Sequence, residues 1–179
     1  DNNSLGGPSR TISSAGILNQ DWLFTNGGDG FETQVDWKNP NIIYSQSQFG
    51  GLVRFDKQSG ENLFIQPQDF VDTAYRYDWD AGFLLSKHDN KRLYMGGNKL
   101  MRSDDQGSTW REISWDLTRG VPKEMQKLMG QSWSIDQLAR KSAMAQIVTI
   151  AESPLDENIL FVGSGDGLIH VTTNGGTNW

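Results

Sequence analysis

The chain has 179 residues, among them 20 glycines, seven tryptophans, four tyrosines and eight phenylalanines, and it has no cysteine. The missing thiols exclude cysteine nucleophiles, cysteine metal ligands and disulfides, while the glycine and aromatic content favours a turn-rich β protein. A formal net charge of −6 argues against a nucleic-acid surface and suits a neutral or cationic ligand, and no apolar run reaches the length of a membrane span.

Residues 1–28 carry turn chemistry at Gly6-Gly7-Pro8 and Asn26-Gly27-Gly28 around one short apolar stretch, Trp22-Leu23-Phe24. They read as the outer part of a unit whose inner strands lie before residue 1. In 29–67, Phe31, Thr33 and Val35 alternate with Glu32, Gln34 and Asp36, the period-two signal of a strand with two different faces. Ile42-Ile43-Tyr44, a Gly50-Gly51 turn, Leu52-Val53-Arg54-Phe55 and Leu63-Phe64-Ile65 complete a four-stranded unit. Residues 79–115 repeat the scheme with Phe83–Leu85, Arg92–Met95, Lys99–Arg102 and Trp110–Ile113.

In 116–143 the pattern changes. Pro122 suits the first turn of a helix and Gly130 its end, with Met125, Leu128 and Met129 on one face. Ser134 with Gln137 is a capping box for a second short helix through Leu138 and Ala139. Residues 144–179 return to strands at Ile147–Ile150, Ile159–Val162 and Leu168–Val171, with Trp179 expected to open a fourth. An aromatic recurs in the second strand of each unit, at Tyr44, Tyr94 and Phe161.

One turn is more specific than the rest. Ser103 to Trp110, SDDQGSTW, fits Ser-x-Asp-x-Gly-x-Thr-Trp at every specified position. Asp105 can accept hydrogen bonds from its own turn, Gly107 can take a positive φ, and Thr109 and Trp110 open the next strand, the indole covering the apolar side of the hairpin. Thr172, Asn174, Gly176 and Trp179 repeat the pattern, and FDKQSGENL is an eroded copy with Gly60 and Leu63 in the glycine and tryptophan places. The device resembles the Asp-box, or BNR repeat, which joins the third and fourth strands of β-propeller blades. DNNSLGGPS and GGDGFETQVD also resemble a bacterial group of BNR propellers related to sortilin-type and xyloglucanase-type proteins.

The resemblance implies an all-β propeller segment: three four-stranded blades plus part of a fourth, with a short helical insertion. Its partners would be the remaining blades of a longer chain and a polysaccharide or protein ligand; no cofactor or metal is implied. The location would be extracellular or periplasmic. In such a fold the boxes (Ser103, Asp105, Gly107, Thr109, Trp110; Thr172, Asn174, Gly176, Trp179) are structural and lie opposite the loops that carry ligands.

The loop face would gather Tyr75, Arg76, Tyr77, Trp79, Trp133 and Asp166, with Phe70, Asp69, Asp72, Asp78, Asp80 and Arg119 nearby. Aromatic planes beside carboxylates suit a carbohydrate, because rings stack on sugar faces and carboxylates bind hydroxyls; packing of long loops onto the scaffold explains the same residues. Asp29 in GGDG and Asp80 in DWDAG occupy corresponding positions and are the candidate carboxylate pair of a glycosidase, which needs a separation of about 5–9.5 Å depending on mechanism. The ordinary turn preference of aspartate is the competing explanation. A sialidase is disfavoured because Arg-Ile-Pro does not occur, and His88 and His170 do not make a zinc site. The reading that follows is a noncatalytic binding module; the alternative is part of a xyloglucanase-like glycoside hydrolase.

Overall fold

The computed structural model describes residues 2–68, 75–122, 125–128, 130–132, 134 and 145–179. β1 (Ser4–Gly6) and β2 (Leu23–Asn26) form an antiparallel pair. β3 (Gly30–Val35), β4 (Ile42–Ser47), β5 (Gly51–Asp56) and β6 (Asn62–Phe64) make the first four-stranded sheet, each strand bonded to the next in sequence. β7 (Phe83–Leu85), β8 (Leu93–Gly96), β9 (Leu100–Ser103) and β10 (Arg111–Glu112) make the second.

Between the second and third sheets the structure departs from expectation. Where Pro122 and Gly130 were expected to bound a helix, β11 (Lys127–Leu128) pairs antiparallel with β12 (Gln131–Ser132). Gly130, at φ +77°, closes a hairpin rather than capping a helix. The Met125 N–H donates to the Pro122 carbonyl (3.0 Å). A glycine with positive φ serves either geometry, so the sequence signal was ambiguous. The second expected helix lies, apart from Ser134, outside the described residues. β13 (Ile147–Glu152), β14 (Leu160–Ser164) and β15 (Ile169–Thr172) form the third sheet.

The three sheets share one register. Tyr44 pairs with Arg54, Tyr94 with Arg102 and Phe161 with Val171, so the recurring aromatic occupies one place in each. The sheets stack face to face as consecutive blades of an incomplete β-propeller. All of β8 is buried because both of its faces are covered. Leu93 and Met95 join Tyr44, Leu52 and Ile65 of the first sheet, while Tyr94 and Leu100 join Ile147, Leu160 and Val162 of the third. Each fully buried aliphatic side chain contributes about 1.5–3 kcal/mol, which makes these seams the chief source of stability.

The hairpin turns lock the seams. Ser103 Oγ accepts the Gly107 N–H (2.8 Å) and donates to Asp105 Oδ1 (2.8 Å). Asp105 in turn accepts the Thr109 N–H (2.8 Å) and hydroxyl (2.6 Å). Thr172 and Asn174 reproduce the arrangement, Thr172 accepting the Gly176 N–H (3.0 Å) and Asn174 the Asn178 N–H (2.9 Å). The indoles were expected to fold over their own hairpins. Instead, Trp110 Nε1–H donates to the Ile65 carbonyl (2.8 Å) and Trp179 Nε1–H to the Ile113 carbonyl (2.9 Å), each on the preceding sheet. An outermost strand leaves carbonyls without a ladder partner, and the indole N–H satisfies one. Gly107, at φ +84°, has Ile65 pressed against it so closely that a Cβ would lie 2.5 Å from Ile65 Cδ1. In the eroded copy a Cβ on Gly60 would meet open space.

A second repeated turn links the first and second strands of each sheet. The Asp36 carboxylate accepts the N–H groups of Lys38 and Asn39, the Ser86 hydroxyl those of His88 and Asp89, and the Ser153 hydroxyl that of Leu155.

Candidate functional site at the loop end

Alternation of strand direction puts the turns β4–β5, β8–β9 and β14–β15 at the end opposite the hairpins just described. The connections between sheets run over the same end: the Leu117 N–H reaches the Asn98 carbonyl (2.9 Å) and the Gly165 N–H the Gln146 carbonyl (2.9 Å).

β4 ends in a tight turn, Gln48–Gly50, in which Phe49 has φ +58° and ψ 31°. A non-glycine residue there costs on the order of 1–3 kcal/mol and persists only where its surroundings impose it. Three contacts do so. The Phe49 N–H donates to the Trp79 carbonyl (3.2 Å), its carbonyl accepts from Gln66 Nε2 (2.8 Å), and its ring meets Trp79 edge-on with centroids 4.9 Å apart at 77°. Both rings are exposed. Gly50 cannot be replaced without displacement, since a Cβ would lie 2.6 Å from Met95 Cε and 3.0 Å from Tyr77 Cγ.

Acidic groups flank this aromatic pair. Asp78 is buried and accepts the Trp79 N–H (2.8 Å). Asp80 is exposed, and its carboxyl is held above the ordinary aspartate range by partial burial and by the nearby charges of Asp78 and Glu32. On the other side, the Asp29 N–H donates to Gln48 Oε1 (2.8 Å). The Asp29 backbone is thus tied to Gln48 and the loop carrying Trp79 to Phe49, and the carboxylates acting on Asp80 are Asp78 and Glu32.

The remaining loop candidates hold the loops to the scaffold. Tyr77 packs over Gly50 and Gly97 and its hydroxyl donates to the Pro67 carbonyl (2.9 Å). Tyr75 donates to Glu112 (3.0 Å), and Arg76 pairs with Asp116 (2.9 Å). Asp166 is buried, accepts the Arg119 N–H (2.7 Å) and pins that loop to the β14–β15 turn. Trp133, Phe70, Asp69 and Asp72 lie outside the described residues. Phe49 and Glu32 were not singled out from the sequence. The signal available for Phe49 was an aromatic set directly before a Gly-Gly turn, where a strand has ended and no core position is due.

Exposed ring surface beside carboxylates and a side-chain amide can stack on a sugar face and bind its hydroxyls, or hold a cationic group. Among the described residues no group of three or more His, Asp or Glu side chains is arranged to hold a metal ion. Nor is any helix among them long and apolar enough to cross a membrane.

No family model and no curated relative matches the chain. Solved structures do. An ancestral GH74 enzyme superposes with a TM-score of 0.51 at 14% identity over 86% of this chain and 18% of its own. The GH74 xyloglucanase from Xanthomonas campestris gives 0.53 at 14% identity over 89% of this chain and 23% of its own. The chain thus spans about a fifth of either neighbour. At this identity the likeness is one of fold, and with the stacked sheets it shows that the 179 residues form part of a β-propeller.

Proposed function

We propose that the chain is a segment of an exported Asp-box propeller protein, with sheets at 29–67, 79–115 and 144–179 as successive blades and 1–28 as the outer part of a preceding one. It serves as a noncatalytic binding module whose loop end takes a glycan or a protein segment. The observation that carries this reading is the exposed Phe49–Trp79 pair beside Asp80, held in a strained backbone by three separate contacts. Strain of that kind gathers at functional sites. Tyr75, Arg76, Tyr77, Trp133 and Asp166 are included in the proposal as further ligand-binding residues. A glycan-array screen of the intact protein containing this segment tests it, repeated with Trp79→Ala and Trp133→Ala. Binding that disappears with Trp79→Ala supports the module, and undiminished binding refutes this location.

A second reading has support of its own. The elevated Asp80 carboxyl suits a general acid, and both structural neighbours quoted are GH74 enzymes, one of them a xyloglucanase. On this reading Asp80 and Asp29 contribute to a glycoside hydrolase site completed elsewhere in the protein. Loss of xyloglucan hydrolysis in Asp80→Ala, with ligand retained, would favour it over the binding module.

A further inference from the structure

The two repeated hairpin turns differ in one group. In the first, Asp105 Oδ1 accepts the Ser103 hydroxyl (2.8 Å) and the Thr109 N–H (2.8 Å); in the second, Asn174 Oδ1 accepts the Thr172 hydroxyl (3.0 Å) and the Asn178 N–H (2.9 Å). Asp105 also uses its other oxygen, which accepts the Thr109 hydroxyl (2.6 Å). The atom in that place in Asn174 is Nδ2, and it donates to none of the described residues. The second turn therefore needs only an acceptor from this side chain, and an amide stands where a carboxylate would serve.

Asn174 is followed by Gly175, and such a pair is prone to lose its side-chain amide, because glycine sets no Cβ beside the nitrogen that attacks the asparagine Cγ. Two Asn-Gly pairs occur in the chain, Asn26-Gly27 and Asn174-Gly175. Asn26 uses its whole amide: Nδ2 donates to the Ser45 and Gly51 carbonyls (3.0 Å each), and Oδ1 accepts the Gly27 N–H (2.9 Å). A carboxylate at that position would set an oxygen against two carbonyls and lose both of those donated bonds. Asn174 is exposed, and a carboxylate there loses no hydrogen bond.

We propose that Asn174 is a site of non-enzymatic deamidation, and that its turn holds the resulting aspartate as the first turn holds Asp105. The Gly175 nitrogen attacks the Asn174 Cγ and gives up its proton, ammonia departs, and one water opens the cyclic imide to aspartate or isoaspartate. In the closed turn the attack is prevented: the Gly175 N–H donates to the Asn158 carbonyl (3.0 Å), and Asn174 Oδ1 is held by two donors. Conversion therefore takes place when the turn opens. Aspartate restores every bond of the closed turn, with a charged acceptor in place of a neutral one. Isoaspartate lengthens the main chain between 174 and 175, so that the contacts to Asn158 and Asn178 no longer form together.

The test follows both asparagines by peptide mass spectrometry, with fragmentation that separates aspartate from isoaspartate. The intact protein containing this segment is incubated at mildly alkaline pH, folded and in urea. In urea both asparagines are expected to convert; in the folded protein acid is expected to accumulate at position 174, part of it as aspartate, and not at 26. Thermal unfolding of two variants supplies the second readout: Asn174→Asp is expected to unfold at or above the wild-type midpoint, and Asn26→Asp several degrees below it. No conversion at 174 in the folded protein, or equal conversion at both positions there, would overturn the proposal. So would an Asn26 that stays intact in urea, since its protection would then owe nothing to the fold. Isoaspartate as the sole product at 174, or a midpoint for Asn174→Asp as low as that for Asn26→Asp, would overturn the assignment of the turn as a holder of the acid.

Discussion

Two aspartates, one at each end of the sheets, are pushed in opposite directions. At the hairpin end, burial alone would raise the Asp105 carboxyl, but the Thr109 hydroxyl and N–H, together with Ser103, outweigh it and hold the group below the ordinary range. At the loop end, partial burial and the charges of Asp78 and Glu32 hold Asp80 above it. One carboxylate has its lone pairs filled by its own turn; the other faces more negative charge than the fold requires. Folding stability alone would select the first arrangement. On the proposed function, the second is the arrangement of a surface kept for a ligand.

If that contrast is right, substitutions at the two ends separate stability from binding. Trp110→Ala is expected to have the largest effect on stability, about 3 kcal/mol in urea unfolding, because the indole fills the first seam and bonds the Ile65 carbonyl across it. Gly107→Ala comes next, at about 1–2 kcal/mol. It places a methyl group into Ile65 and an alanine at positive φ. Gly60→Ala, at the eroded copy, has only the backbone cost, about 1 kcal/mol.

Phe49→Gly is expected to change stability by less than about 0.5 kcal/mol, because relief of the left-handed backbone offsets the lost ring contact. Ligand retention should nevertheless fall. A clear loss of stability would mean that Phe49 is only packing.

The smallest expected effect is the dependence on pH, and its sign differs between the ends. Asp105 is lowered in the folded protein, so its contribution is present above the unfolded aspartate pKa and is lost as pH falls through the folded value. Asp80 is raised, so the folded state holds its proton longer, and stability declines as pH rises from the unfolded pKa through the folded one. Comparing unfolding midpoints between about pH 3 and pH 7, Asp105→Asn should flatten the acid-side loss. Asp80→Asn should remove a small penalty at neutral pH.

The scaffold was legible because its signals are local and repeated. Alternation at Phe31–Asp36, the recurring Tyr44, Tyr94 and Phe161, and the spacing of Ser103, Asp105, Gly107 and Trp110 each follow from what one strand or one turn needs. The strand 1–2 turn repeats as well, but its key residue is Asp36 once and serine twice, at Ser86 and Ser153, so a search by residue type passes over it. The hairpin of β11 and β12 was misread as helix because Pro122, Gly130 and three apolar residues between them satisfy both patterns.

The candidate site was only half visible. Trp79 and Asp80 stood out as an aromatic and an acid in a loop, whereas Phe49 lies in another connection, and only the folded turn brings it onto Trp79. Glu32 reads as the polar half of an alternating strand, and its effect on Asp80 depends on the loop before β7 lying near β3 in the fold.

The most direct test of the contrast between the ends is to measure urea unfolding and ligand retention together for Trp79→Ala and Trp110→Ala in the intact protein. The proposed function predicts that Trp79→Ala unfolds close to the wild-type midpoint and no longer retains ligand, while Trp110→Ala unfolds earlier and its folded fraction still binds. Binding lost in Trp110→Ala and kept in Trp79→Ala would place the functional surface at the hairpin end and contradict the account.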